Sequence, residues 1–302
     1  MKRHESKPVV LVTGCNSGIG NALARLLYDR DDYVTIVTAR AHSYEHLLEQ
    51  FPERKHFWVR ELDVTNYDHI DSLIHEIAVT WGGVDILVNN AGICYRSVIE
   101  HMDEEGEMLQ LKTNYLGPMS LIRMVIPTMR EKGYGHIINV SSVSGMMAMP
   151  TMGSYSASKH ALDGASEALW YEMKPFGIKV SVIQPGFVHS NSFKNVYMSR
   201  KAKFSDELEG PYAEYYSFIS PFIENLMKWS RSTPEKIARK IFALMESPRP
   251  PLWRTATPDA MLFGMISKLL PKRIFHKIMF LLLPGSKKWG GQFSRLRHKR
   301  VS

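Results

Sequence analysis

Cysteine is scarce in this 302-residue chain: Cys15 and Cys94 are the only two, and both lie beside glycine-containing turns. Two thiols so placed argue against a disulfide-built scaffold and fit a reduced, cytoplasmic compartment. Acidic residues stop at Asp259, whereas residues 260–302 carry ten Lys or Arg. No Pro/Gly/Ser-rich stretch divides the chain and no repeat is visible, so a single large domain is expected over residues 1–258. Long apolar runs are lacking too. The most apolar segment, MLFGMISKLLPKRIFHKIMFLLLP (261–284), is cut by Pro271 and interrupted by four basic residues, which makes it a poor membrane span. At the other end, MKRHESK runs straight into a strand signal and leaves no room for a signal peptide or an amino-terminal span.

What is present is an α/β rhythm. Apolar residues make up 44% of the chain, enough for a full core. Short β-branched runs such as PVVLVT (8–13), GVDILVNNAG (83–92) and GIKVSVIQPG (177–186) alternate with stretches of helical spacing, as βαβ units require. The first run leads directly into Gly14-Cys-Asn-Ser-Gly18-Ile-Gly20 and then the helical NALARLLYDR (21–30). Strand, glycine turn and helix in that order form a dinucleotide site. The glycines admit backbone to the pyrophosphate, and the helix start offers free N–H groups.

A second constellation carries chemistry. Ser142 stands thirteen residues before Tyr155, and Lys159 follows by four, in YSASK. The four-residue step puts phenol and ammonium on one helix face. An ammonium at ~4 Å in an effective dielectric of ~20 contributes about 4 kcal/mol towards the phenolate, roughly three pKa units before desolvation is subtracted. The expectation is a tyrosine that exchanges a proton with a substrate oxygen held by Ser142. GHIINVSS (135–142) reads as a buried strand that delivers this serine at its carboxyl end, where open parallel sheets bind ligands. Tyr197 and Lys201 repeat the spacing, but Gln184 stands where their serine would be, so that pair is read as a decoy.

Taken jointly, TGCNSGIG (13–20), NNAG (89–92), Asn114, Ser142, YSASK (155–159) and PGFVHS (185–190) resemble the short-chain dehydrogenase/reductase family, single-domain branch, over about residues 8–255. The resemblance implies a Rossmann-like, doubly wound, mostly parallel seven-stranded sheet with helices on both faces. It also implies hydride transfer between nicotinamide C4 and a carbonyl or carbinol carbon. In that scheme Tyr155 is the proton donor or acceptor and Ser142 orients the oxygen. Lys159 lowers the tyrosine pKa and binds the ribose, and the Asn114 backbone holds a relay water. The cofactor would be met by Gly14, Asn16, Ser17, Gly18, Ile19 and Gly20, by Asp63 and Val64 at adenine, and by Asn90, Ala91 and Gly92. Pro185, Gly186, Val188 and Ser190 would contact the carboxamide side, Ser190 replacing the commoner threonine. The family also commonly pairs subunits through helices matching about 103–130 and 153–175, which implies a homo-oligomer. Within it, the tail and aromatic lid resemble retinol and hydroxysteroid dehydrogenases.

Charge selects between the dinucleotides. The second strand, YVTIVTAR (33–40), ends in Ala39 and Arg40, with no acid before Glu45. An acid there would bind the ribose 2′-hydroxyl of NAD(H), whereas a guanidinium suits the 2′-phosphate, so NADP(H) is expected. Residues 187–232 are dense in aromatics, among them Phe187, Tyr197, Tyr212, Tyr215, Tyr216, Phe218, Phe222 and Trp229. With Met146, Met147 and Met149 they predict a lid over a bulky, lipophilic ketone, aldehyde or alcohol of steroid, retinoid or long-chain lipid type. The net +8 divides into a tail of +10 and a body of −2. A basic amphipathic extension over 259–302 therefore reads as peripheral on an anionic membrane, with packing over the lid or at a subunit interface as the competing reading. His42 and His46 have helical spacing without a third ligand, so no metal is expected. The terminal cations lack a nucleic-acid motif, so no nucleic acid is expected either. A dinucleotide sensor or scaffold without turnover is the alternative function. It has no need of the Asn114, Ser142, Tyr155 and Lys159 set.

Overall fold

The computed structural model describes residues 7–189, 196–207 (backbone only over 204–207) and 211–289. Its strands are β1 Val9–Val12, β2 Val34–Ala39, β3 Phe57–Glu61, β4 Ile86–Asn89, β5 Tyr95–Arg96, β6 Gly135–Val140, β7 Ile178–Gln184, β8 Tyr197–Met198 and β9 Trp253–Thr255. Its helices are α1 Gly18–Tyr28, α2 Ala41–Gln50, α3 Tyr67–Trp81, α4 Glu104–Leu111, α5 Gly117–Lys132, α6 Gly153–Met173, α7 Arg200–Glu207, α8 Ala213–Trp229, α9 Pro234–Glu246, α10 Pro258–Leu269 and α11 Lys272–Leu282. A π-turn, Lys112–Leu116, joins α4 to α5.

Seven strands form one sheet in the order β3-β2-β1-β4-β6-β7-β9, every pairing parallel. The order reverses between β1 and β4, and a doubly wound sheet opens its crevice at that point. Alternation within each strand feeds two cores. Val10, Val12, Val37, Val88 and Ile138 face a layer built on Leu23, Leu27, Leu47 and Ile241 of α1, α2 and α9. Leu11, Ile36, Leu87 and Ile137 face Leu73, Leu121, Val125 and Leu169 of α3, α5 and α6. Burial on both faces explains why these strands read as unbroken apolar runs. The fold is thus the Rossmann-like, doubly wound α/β architecture expected.

Two short strands form a separate parallel pair, β5 with β8, at the mouth of the crevice. The carboxyl-terminal segment makes two helices separated at Pro271, as its sequence predicts. Both pack inward: Ala260 and Phe275 are buried with Val143 and Met147, the residues just after Ser142. Among the described residues no helix is long and apolar enough to cross a membrane.

Candidate active site

A cleft of about 910 Å³ runs along the carboxyl edge of the sheet, from Arg40 and Asp63 at one end to Met152 and Met227 at the other. At the glycine-turn end, Gly14 (φ 70°) and Gly18 (φ 59°) take the left-handed conformation that glycine adopts without strain. A Cβ on Gly20 would lie 2.3 Å from the Gly14 carbonyl oxygen, so that glycine packs the turn against itself. Ser17 caps α1 without a side-chain bond to its first turn, leaving the helix start to an anion. The NNAG segment braces this turn from behind. Asn90 donates through Nδ2 to the carbonyls of Thr13 and Gly14, both at 2.9 Å, and the amides of Asn90 and Ala91 donate to Thr13 Oγ1. The residues present therefore fit a dinucleotide: a glycine cradle closed to side chains, facing a helix start.

Arg40 is exposed on the cleft wall and is also the N-cap of α2. His42 and Ser43 line the same corner, so a phosphate there would meet a guanidinium, a hydroxyl and a second helix start. The sequence reading used Arg40 alone; the break between β2 and α2 was the signal for the rest. Asp63 borders the cleft with its Oδ1 accepting from the Thr65 amide and hydroxyl, at 2.8 and 2.7 Å.

Catalytic candidates converge at the middle. Ser142 follows β6 and is pinned on both sides, since Ser141 N donates to Ile183 O and Val143 N to Pro185 O. Its hydroxyl accepts from Ser144 N at 3.1 Å, and it borders the same cleft as the Tyr155 phenol. Tyr155, Lys159 and Asp163 follow at four-residue steps on α6. Lys159 is buried and donates to the Val140 carbonyl at 2.9 Å. Asn114 is fully buried in the π-turn behind Gly92. Its side chain accepts from Ile93 N, donates to Ile93 O and donates to Ser158 Oγ, all within 3.0 Å. That leaves only its backbone for any relay. Neither Asn114 nor Gly20 borders the cleft. The other expected residues from Gly14 to Val188 do, and Ser190 lies outside the described residues.

Electrostatics correct one expectation. The Tyr155 phenol is raised above its ordinary value, not lowered. Burial is the first cause and Cys94 the second, against a smaller opposing pull from the Ser142 hydroxyl. The ammonium does not reverse this, because Lys159 Nζ is spent on the Val140 carbonyl and lies 5.9 Å from the ring centroid. Lys159 is itself pushed down to about 8 by burial, with Asp163 and Cys94 opposing the fall. At neutral pH the pair is a neutral phenol beside a buried ammonium, a proton donor in waiting.

Asp163 was not singled out from sequence, although the same four-residue step reveals it. Its Oδ2 accepts from Gln184 Nε2 at 2.7 Å, and a Cβ on Gly145 would come within 2.4 Å of that oxygen. The carboxylate thus braces the turn that carries Ser142. On the far side Gly186 N donates to Thr257 Oγ1 and Phe187 N to Asp259 Oδ2. The first turn of α10 therefore latches the PGFV segment.

Among the described residues few of the expected aromatics line the cleft. Tyr216 is buried and accepts from Val98 N, Tyr215 meets Trp289 at a tilt with centroids 4.3 Å apart, Phe218 abuts Gly285, and Trp229 is exposed. The first three of these rings fasten the lid to its surroundings. The substrate half is lined instead by Met149, Met152, Met198, Ile223 and Met227, with Phe187 and Tyr197. Met147 turns to the carboxyl-terminal helices, and Met146 lies against Gly264. Tyr197 is on β8 and Lys201 on α7, so the decoy pair shares no helix face. Phe193, another aromatic of the 187–232 stretch, lies outside the described residues.

Fold and site together define a class: an oxidoreductase working on CH–OH and carbonyl groups with a nicotinamide dinucleotide. More narrowly, the chain belongs to the short chain dehydrogenase family, whose sequence profile matches residues 8–201. It is 32% identical over 282 residues to a 3-ketodihydrosphingosine reductase of Bacteroides thetaiotaomicron, covering 89% of this chain and 98% of the relative. It is 32% identical over 192 residues to dehydrogenase/reductase SDR family member 7B of Xenopus tropicalis, covering 61% of this chain and 62% of the relative. A solved short-chain dehydrogenase from Streptomyces avermitilis superposes with a TM-score of 0.75 at 30% identity, over 92% of this chain and 96% of that one.

Proposed function

We propose that this protein is an NADP(H)-dependent reductase of a lipophilic ketone or aldehyde, working in a reducing compartment at a membrane surface. The observation that carries the reading is the convergence of Ser142, Tyr155 and Lys159 on one cleft whose far half is lined by methionines. The neutral phenol is the form that carries the proton a carbonyl reduction consumes, and the reduced phosphorylated dinucleotide is the partner that the Arg40 corner suits. The bound cofactor supplies the hydride. Ser142 orients the substrate oxygen, Tyr155 gives it the proton, and Lys159 stabilises the negative charge left on the phenol. Asn114 and Ser158 keep α6 and the Gly92 turn in register beneath them. Arg40, Ser43 and the start of α2 support the phosphorylated dinucleotide. Methionines supply an adaptable apolar wall for a bulky chain. The Bacteroides relative is named as the reductase of 3-ketodihydrosphingosine, which points the same way. A homo-oligomer paired through the α4–α5 and α6 surfaces belongs to the same reading.

NADPH oxidation against a panel of lipophilic and small polar ketones tests it. Tyr155→Phe should lower turnover by about 10²–10⁴-fold while leaving NADPH affinity within twofold. Preference for polar ketones, or tighter binding of NADH than NADPH, would overturn the corresponding half. Cofactor binding with no turnover in the whole panel would make the protein a dinucleotide sensor instead.

A further inference from the structure

One buried carboxylate stands directly behind the catalytic pair. Asp163 follows Lys159 by four residues on α6, so the two side chains leave one helix face with their Cβ atoms about 5–6 Å apart. Both are buried, at 6% and 5% exposure. Each is tied to the carboxyl end of the sheet. Lys159 Nζ donates to Val140 O of β6 at 2.9 Å, and Asp163 Oδ2 accepts from Gln184 Nε2 of β7 at 2.7 Å. Gln184 lies between Ile183 and Pro185, whose carbonyls accept from the amides of Ser141 and Val143 on either side of Ser142. The turn then closes over the carboxylate. Gly145 N donates to Ser142 O at 2.9 Å, and any side chain at Gly145 would collide with Asp163 Oδ2 and Ser141 Oγ. A buried carboxylate is costly unless hydrogen bonds and an opposite charge answer it. Gln184 supplies the first, and the Lys159 ammonium, one turn away, supplies the second.

We propose that Asp163 is a positioning residue of the reduction, acting on the Ser142 turn through Gln184 and Gly145 and on the Lys159 ammonium across one helical turn. The role rests on the reductase reading, because it concerns the charge that reduction leaves behind. Once Tyr155 has given its proton to the substrate oxygen, the phenolate needs Lys159 in its charged form. Burial pushes that lysine down to about 8, and Asp163 leads the groups that oppose the fall. Without the carboxylate charge Lys159 loses its proton at lower pH, and reduction loses its alkaline range. The other titratable groups acting on the pair are Tyr155 and His160 of α6 and Cys94 beyond β4. The ends of β6 and β7 and the Ser142 turn bring uncharged groups to it, namely Ser141, Ser142, Ser144 and Gln184.

The test uses the full chain with NADPH and a long-chain ketone, and follows kcat from about pH 6 to pH 9. Asp163→Asn keeps an oxygen for Gln184 and removes only the charge. Its kcat at pH 6 should stay within about threefold of wild type, while the alkaline limb moves to lower pH by on the order of one unit. Asp163→Ala removes the brace as well. It should lower kcat on the order of tenfold at every pH, with the limb moved as in Asp163→Asn. A limb that stays in place in Asp163→Asn, whether kcat is unchanged or lowered equally throughout, would make the carboxylate a structural brace only and overturn the proposal. If wild type turns over no ketone, the reductase reading fails, and the lysine is read directly. Nitrogen-15 NMR of the lysine Nζ groups serves, with Lys159→Met assigning the signal and thermal melts verifying folding. An ammonium that titrates lower in Asp163→Asn than in wild type supports the coupling, and equal titration refutes it. Should Asp163→Asn not fold, the side-chain carboxyl carbon of Asp163 in wild type decides: ionised at pH 7 supports the role, and neutral at pH 7 refutes it.

Discussion

Buried titratable side chains set the behaviour of this protein at the scale of single residues. Tyr155, Lys159 and Asp163 lie on one face of α6, and burial shifts each towards its neutral form. The neighbouring strand β6 adds His136, buried and bonded through Nε2 to Ser181 Oγ at 3.0 Å. Burial first, and Lys179 second, depress its pKa from 6.5 to about 3. Between these values the unfolded chain takes up a proton that the folded chain refuses. Stability is therefore unaffected above the unfolded pKa and falls as pH drops through the window, by up to about 1.4 kcal/mol per pH unit. His136→Gln removes that term. Urea denaturation at pH 7 and pH 5 should show a smaller loss for the variant than for wild type; equal losses would mean that His136 is already charged when folded. The YSASK spacing disclosed which groups share the α6 face, but not the sign of the tyrosine shift. Coulomb attraction is legible from a four-residue step, whereas desolvation depends on what covers both groups and where the ammonium spends its hydrogen bonds.

Among the elements, α10 is the least expected contributor to the site. Thr257 caps it by accepting from Ala260 N, and the same oxygen accepts from Gly186 N. Thr257→Ala removes both bonds, about 1 kcal/mol for the cap alone, and frees the PGFV segment on the cleft wall, where the resemblance expects the nicotinamide. The melting temperature should fall by a few degrees. KM for the cofactor should rise several-fold with little change in kcat, as loss of one neutral hydrogen bond implies. An unchanged KM would show that the latch is structural only. The strands β1, β2, β4, β6 and β7 and the helices α1 and α6 were readable because apolar period and turn residues agree there. The pair β5–β8 was not readable, since two-residue strands carry no pattern, and nothing in KTNYL marks a π-turn. The lid aromatics were seen but misplaced. Composition reveals how many rings a segment has, while the side to which α8 turns them depends on Trp289 and Gly285, far along the chain.

For the whole molecule, charge and apolar exposure coincide at one end. Met261, Leu262, Met265 and Leu269 recur on the outer face of α10, and Ile274, Ile278 and Leu281 form a stripe on α11, each at least 40% exposed. Lys268, Lys272, Arg273 and Lys277 stand among them, all exposed. The opposite faces pack on Val143 and Met147, so one side of these helices is covered by the domain itself while the other carries the exposed apolar residues and cations. A surface of this kind suits an anionic bilayer, with apolar side chains entering the interface and each cation near the headgroups adding about 1 kcal/mol. The proposed membrane contact therefore lies over the turn that bears Ser142, on the route a lipophilic substrate would take from the bilayer. Co-sedimentation should show binding to phosphatidylserine-containing vesicles, weaker binding to phosphatidylcholine alone, and release by salt. Leu269→Glu with Ile278→Glu should abolish pelleting and leave NADPH affinity unchanged, because neither residue touches the cleft. If the double variant pellets like wild type, the face is not the contact. If it instead splits a dimer in sedimentation velocity, a second copy of the chain covers the apolar stripes, and the cations must find their partner elsewhere.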